Sequence, residues 1–197
     1  MSVASRTCFA VGAAGAAALT SYVGLVTGAL PVDLGIGRRT RPLGPLTLEI
    51  RAPREVVFDV LSEPYLGRQT RAVAEKVRVL QRGSDMVLAA HRTRVRGHLI
   101  ATTVETVRFT RPERIDFFLT RGPVPYASDQ FLLETVEHGH GEATHLGYTG
   151  ELGTDLWNVG SRWADLVVAP WERAVAATFA AVKTEAERRS TSPFTPV

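Results

Sequence analysis

One cysteine, Cys8, is all that this 197-residue sequence contains. No internal disulfide can form, and no Cys-His nucleophile is on offer. A Gly-x-Ser-x-Gly nucleophile elbow is also missing. No segment recurs with a period of roughly 20–50 residues, which argues against solenoids and propellers. Charge of one sign is scarce: 23 basic residues face 20 acidic ones, for a formal net charge of +3. That balance is too mild for a nucleic-acid surface. Gly35-x-Gly37 and Gly12-x-x-Gly15 lack the strand-to-helix setting of a phosphate loop. Glu137-His-Gly-His-Gly-Glu-Ala-Thr-His145 gathers imidazoles and carboxylates, but its glycines read as a hairpin loop without a rigid helical His pair. Neither a metal nor a cofactor is expected.

What is present is an ordinary globular composition, 45% apolar and 22% charged, in a length that suits one domain with an appendage. The appendage is residues 1–30. Phe9 to Leu30 carries no charge and is long enough to cross a bilayer as a helix. Alanine and glycine make up half of it, which weakens insertion. Three readings stand: a single membrane anchor, a signal peptide cut near Thr27-Gly28-Ala29, or an apolar extension packed on the domain. As an anchor it leaves the domain on the cytoplasmic side, because Arg38, Arg39 and Arg41 outweigh Arg6. As a cleaved signal it makes the protein secreted. Pro31 to Pro45, rich in Pro, Gly and Arg, reads as a linker.

From Leu46 the pattern is regular. Leu46 to Arg51 alternates as a half-buried strand. Pro53 then opens a helix with Val57, Val60 and Leu61 on one face, which Pro64 closes before a second short helix around Tyr65 to Arg71. Six strand-like runs follow near 75–81, 85–94, 98–110, 114–121, 126–137 and 143–152, separated by turn signals in an antiparallel meander. Thr154 to about Arg189 is one long amphipathic helix, capped by Thr154 and running through Pro170. Residues 190–197 read as a disordered tail.

This order, with Ile50-Arg-Ala-Pro-Arg-Glu-Val-Val-Phe-Asp-Val-Leu61, Arg111-Pro-Glu-Arg-Ile-Asp116 and His145-Leu-Gly-Tyr-Thr-Gly-Glu151, resembles the START-like, polyketide-cyclase/SRPBCC superfamily over residues 46–189. The resemblance implies an α+β helix-grip fold: a seven-stranded antiparallel sheet wrapped around the C-terminal helix, with a cavity between them suited to an apolar molecule. Ligand-lining candidates on the helix are Trp157, Gly160, Trp163, Ala164, Val167 and Trp171, whose alternative role is a filled core. Tyr126, Tyr148, Phe117 and Asp129 are available from the strands. His91 is a candidate acid/base or carbonyl-orienting group. Arg121 and Glu151, near strand ends, are candidates to hold a polar head, against a plain surface role.

The first functional expectation is a non-catalytic binder or carrier of a hydrophobic small molecule, lipid-like or polyketide-like, tethered to a membrane under the anchor reading. The second is a cyclase/dehydratase-type enzyme drawing on His91, Arg121 or Glu151. The third is an interaction module with a collapsed cavity and an exposed apolar patch.

Overall fold

The computed structural model describes residues 17–67, 75–96, 98–138 and 141–191. A helix over residues 17–27 (α1) precedes strand β1 (Arg39–Ile50) and helix α2 (Arg54–Leu66). Six strands follow: β2 (Val77–Arg82), β3 (Met86–Arg96), β4 (Leu99–Thr110), β5 (Arg114–Arg121), β6 (Tyr126–His138) and β7 (Gly141–Thr154). Helix α3 (Trp157–Thr191) ends the described chain. The strands form one seven-stranded antiparallel sheet in the order β1-β7-β6-β5-β4-β3-β2. Strands β2 to β7 are the meander read from the turn signals, and β1 joins at β7. The result is an α+β helix-grip fold.

Alternation along each strand sends one set of side chains to the concave face. Val107, Ile115, Phe131, Leu146 and Tyr148 are buried there, and α3 answers with Ala164, Val175, Phe179, Val182 and Ala186. Phe179 meets Phe131 with ring centroids 5.5 Å apart. Helix α3 packs chiefly on β1, β7 and α2, so it leans to one side of the sheet. The Ala52-Pro53 turn is tied to the sheet by Thr144, whose buried Oγ1 donates to the Ala52 carbonyl at 2.7 Å.

Several boundaries differ from the sequence reading. Arg39–Pro45 is not linker but the first half of β1. Gly44-Pro45 reads as a break, yet it forms a bulge: two residues lie between the pairs Leu43↔Gly150 and Leu46↔Tyr148, against one on β7. Gly44 takes φ +76° there, and its N–H donates to Glu172 of α3. Helix α2 continues through Pro64 to Leu66, because a proline removes one helical hydrogen bond without ending a helix that is otherwise packed. Of the expected second short helix around Tyr65 to Arg71, Tyr65 and Leu66 instead belong to α2, and residues 68–71 lie outside the described residues. Thr154 does not cap α3. It ends β7, and Asp155 is engaged elsewhere, so the helix starts at Trp157, which with Leu156 before it has positive φ. At the other end Ser190 and Thr191 complete α3. Residues 192–197 lie outside the described residues.

Candidate functional site

The concave face carries ionisable groups among aromatic rings. Ala89, His91 and Thr93 alternate on β3, and Ala101, Thr103, Glu105 and Val107 do so on β4. The register pairs His91 with Thr103 and Ala89 with Glu105, which makes His91 and Glu105 diagonal neighbours on one face. Their side chains meet, His91 Nδ1 lying 3.0 Å from Glu105 Oε2, an ion pair set off the in-line direction of a good hydrogen bond. His91 Nε2 lies 3.0 Å from the hydroxyl of Tyr65, delivered by the last turn of α2. The His91 and Glu105 side chains are 16% and 9% exposed.

A second group sits across the sheet. Asp129 on β6 stands opposite Phe117 on β5 and Gly150 on β7. Any side chain at position 150 would run into the Asp129 Cβ and the Ser128 carbonyl, so glycine there lets Asp129 lie close against β7. The side chains of Tyr148 and Trp171 reach the Asp129 carboxylate. The Tyr148 hydroxyl, on a wholly buried residue, approaches Asp129 without making a well-aligned hydrogen bond to any protein group. The floor between the two groups is aromatic: Phe117 contacts Tyr65, His91 and Phe131.

Burial and charge set the protonation states. Burial pushes the His91 imidazole down, but the Glu105 charge, the contact with Glu105 and the Asp129 charge together hold it above its ordinary value. Burial pushes Glu105 up, and the His91 charge with contacts from His91 and Thr103 outweighs it, leaving the carboxyl below its usual range. Both shifts favour the imidazolium–carboxylate form of the pair, in which Nε2–H donates to the Tyr65 oxygen. Asp129 has no such cation in contact. Burial first and the Glu105 charge second push it up to about 7, with Tyr148, His91 and Trp171 pulling back. Burial, then nearby carboxylates, keep the Tyr65 and Tyr148 phenols protonated. One face thus holds a carboxyl poised near neutrality, a charged imidazole and two phenol donors.

Beside this face, between the end of β3 and the middle of α3, lies a recess of about 210 Å³ lined by Thr93, Arg94, Val95, Pro170, Arg173 and Ala174. Thr93 follows His91 on the same strand face, and Trp171 follows Pro170.

Similarity searches return the same architecture. No family model matches the sequence, and no curated protein matches it. Solved structures do. The Zhui aromatase/cyclase from Streptomyces sp. R1128 is 22% identical with a TM-score of 0.61, over 77% of this chain and 95% of that one. TTHA0849 from Thermus thermophilus is 17% identical at TM-score 0.55, over 77% of this chain and 100% of that one. Norcoclaurine synthase from Thalictrum flavum is 14% identical at TM-score 0.51, over 73% and 88%. The chain has a START/polyketide-cyclase (SRPBCC) fold. At these identities the likeness is one of architecture, and the site must be argued from its own residues.

Within this START fold the expected site residues divide. His91, Phe117, Asp129, Tyr148 and Trp171 come together on the concave side. Trp163 and Val167 are half-buried against the core, and the Trp163 indole donates to the Pro123 carbonyl at 2.8 Å. Ala164 is fully buried core. Gly160 is buried against the Asp155 carbonyl, where it admits the start of α3 rather than lining a cavity. Trp157 is 54% exposed and covers Gly37 on the outside of the domain. Tyr126 and Glu151 bond to each other at 2.8 Å on the convex face, because their parity is opposite to that of Asp129 and Tyr148. Arg121 is exposed and donates to the Ala29 carbonyl, so it is not in the site. Sequence reasoning missed Glu105 and Tyr65. Glu105 had a signal: a lone carboxylate in the alternation of Ala101, Thr103, Val107 and Phe109. Tyr65 had none beyond its place on α2.

Among the described residues no cluster of three or more metal-ligating side chains occurs. None of the described helices is long and apolar enough to cross a membrane. Of the apolar run 9–30, residues 9–16 lie outside the described residues. Helix α1 ends at residue 27; within the described part, Tyr22 meets Trp163 and the Ala29 carbonyl accepts from Arg121.

Proposed function

We propose that the interior of this START fold performs acid–base chemistry on a carbonyl-rich apolar substrate, of the kind needed to close and dehydrate a ring. The observation that carries this reading is Asp129 at about 7 across an aromatic floor from the charged His91–Glu105 pair. A carrier needs only apolar walls, and every buried ionisable group costs it stability. A group near the working pH is instead what general base catalysis requires.

In this reading the Asp129 carboxylate takes a proton from a carbon flanked by two carbonyls. The enolate oxygen is held by the Tyr148 hydroxyl, which lacks a good partner in the protein. The enolate carbon attacks a second carbonyl whose oxygen takes a proton from the system of His91 and Tyr65. Asp129, now protonated, gives its proton to the departing hydroxyl while the second proton of the attacking carbon returns to the system of His91 and Tyr65, so that one carbon–carbon bond and one carbon–carbon double bond form, one water leaves and both groups are reset. The aromatic walls hold the chain in register, which supplies much of the rate. The names of the aromatase/cyclase neighbours agree with this class of reaction.

Deuterium exchange at the methylene of a β-keto thioester probe, followed by NMR between pH 5 and 9, tests the first step. The expected result is catalysed exchange rising through pH 7 and falling at least about 100-fold in Asp129→Asn, with Glu105→Gln moving the rise to lower pH because the Glu105 charge helps push Asp129 up. Exchange that is equal in wild type and Asp129→Asn overturns the assignment and returns the protein to the class of hydrophobic-ligand carriers.

A further inference from the structure

Helix α3 packs chiefly on β1, β7 and α2, and helix α1 spans from its Trp163 flank to the sheet rim at Thr102 and Gly122. Tyr22 meets Trp163 of α3 edge-on, ring centroids 6.4 Å apart. On the sheet side Gly28 is seated on the Thr102 carbonyl and Gly122, and Arg121 donates to the Ala29 carbonyl at 3.1 Å. Trp163 is in turn bonded to Pro123 in the β5–β6 turn, so α1 spans from helix to sheet across the rim.

The segment's two ends are held very differently. Residues 33–38 are clamped: the buried Asp155 carboxylate accepts from the Leu34 and Gly35 N–H groups and from Arg38, and Ile36 and Gly37 carbonyls accept from Leu156 and Trp157. Residues 22–27 are only half-buried, and Leu19 is 65% exposed. Between the two parts the chain turns at Gly28, with φ +70°, followed by Pro31. A firmly fixed base, a turn on glycine and a lightly seated apolar helix are the parts of a hinged flap.

We propose that α1 is a lid on the interior site, hinged at residues 28–31 and latched by Tyr22 on Trp163, and that apolar substrates enter by displacing it. The proposal rests on the reading of the interior as a substrate site, and it assigns to the N-terminal segment a role in access. Apolar contacts latch the lid, so an apolar molecule arriving at the rim competes for the same Trp163 surface.

The test reads access to His91 without any ligand. Carbethoxylation by diethyl pyrocarbonate at pH 8 is followed by peptide mass spectrometry, with His145 on the outer face of β7 as the internal reference. Three proteins are compared: the full chain, Gly28→Ala, and the chain lacking residues 1–30. An added Cβ at position 28 would stand 2.5 Å from the Thr102 oxygen in a backbone region alanine avoids, so it unseats α1 while leaving its residues present. The truncation covers the case in which Gly28→Ala folds poorly. His91 is expected to react at least tenfold faster in both variants, with His145 unchanged. Equal His91 rates in all three overturn the lid, as does a rise shared by His145, which reports loosening of the whole fold. Proton exchange on the β-keto thioester by the truncated protein reads the interior chemistry independently, so a failed lid and a failed site give different results.

Discussion

Asp129→Asn should make the protein more stable in alkali and leave it nearly unchanged in acid. The carboxyl stands at about 7 in the folded protein against an ordinary 3.8, with burial as the leading cause. A folded-state value above the unfolded one means that the native state keeps a proton the unfolded chain has already lost. Stability is therefore fully present below 3.8 and declines as pH rises through about 7. The gap between the two values is worth about 4 kcal/mol once both states are ionised, and water reaching the site would reduce this to about 2 kcal/mol. Asparagine keeps the shape and has no charge to bury. Urea denaturation at pH 5 and pH 8.5 is the assay, with the variant's gain reaching a midpoint shift of about 1 M at pH 8.5 and about a third of that at pH 5. His91, held above its ordinary value, also loses its contribution as pH rises, but it is present in both proteins and largely cancels in the comparison. Glu105, Tyr148 and Trp171 face the same carboxylate and likewise remain. A stability difference that is the same at both pH values would refute the claim that Asp129 carries a buried, costly charge.

Three further outcomes are expected. Thr144→Val should cost about 1–3 kcal/mol in chemical denaturation, because it strands the buried Ala52 carbonyl. Gly150→Ala should cost about 1–3 kcal/mol by overpacking against Asp129 and should depress probe exchange beyond what the stability loss explains, measured at a temperature where the variant is folded. Asp155→Asn should weaken the clamp on residues 33–38 by about 1–2 kcal/mol, discounted because Arg38 is one-third exposed, and should speed limited proteolysis there. Asp155 is held below its usual range by Arg38 first, against burial, and then by the Leu34 and Gly35 N–H groups. Its contribution is present above the ordinary carboxylate value and lost as pH falls through the lower folded value, so the proteolysis difference should shrink in acid.

Much of this protein was settled by local pattern. Alternation of period two and the glycine and proline turns mark the strands from β2 to β7 closely, and β5 at Arg114–Arg121 falls where its residues alone place it. The apolar arc of the last helix carries through Pro170 because its phase does, and Phe179 and Val182 are buried as that phase demands. Where a rule depended on neighbours in space, local pattern failed. Gly44-Pro45 looks like a break until β7 lies beside it and absorbs the extra residue as a bulge. Asp155 looks like a first-turn helix residue until the chain from Leu34 to Arg38 returns to claim it. Parity along β6 and β7 leaves two faces, and nothing local says which is concave; only α3, packed on one side, sends Asp129 and Tyr148 inward and Tyr126 and Glu151 out. The sequence by itself determined the elements, their order and the apolar stripe that each would bury, since these follow from backbone geometry and burial period. Tertiary structure alone decided the chemistry: His91 and Glu105 are fourteen positions apart and Asp129 lies on a third strand, and a proton affinity near neutrality arises only when packing brings them onto one largely desolvated face.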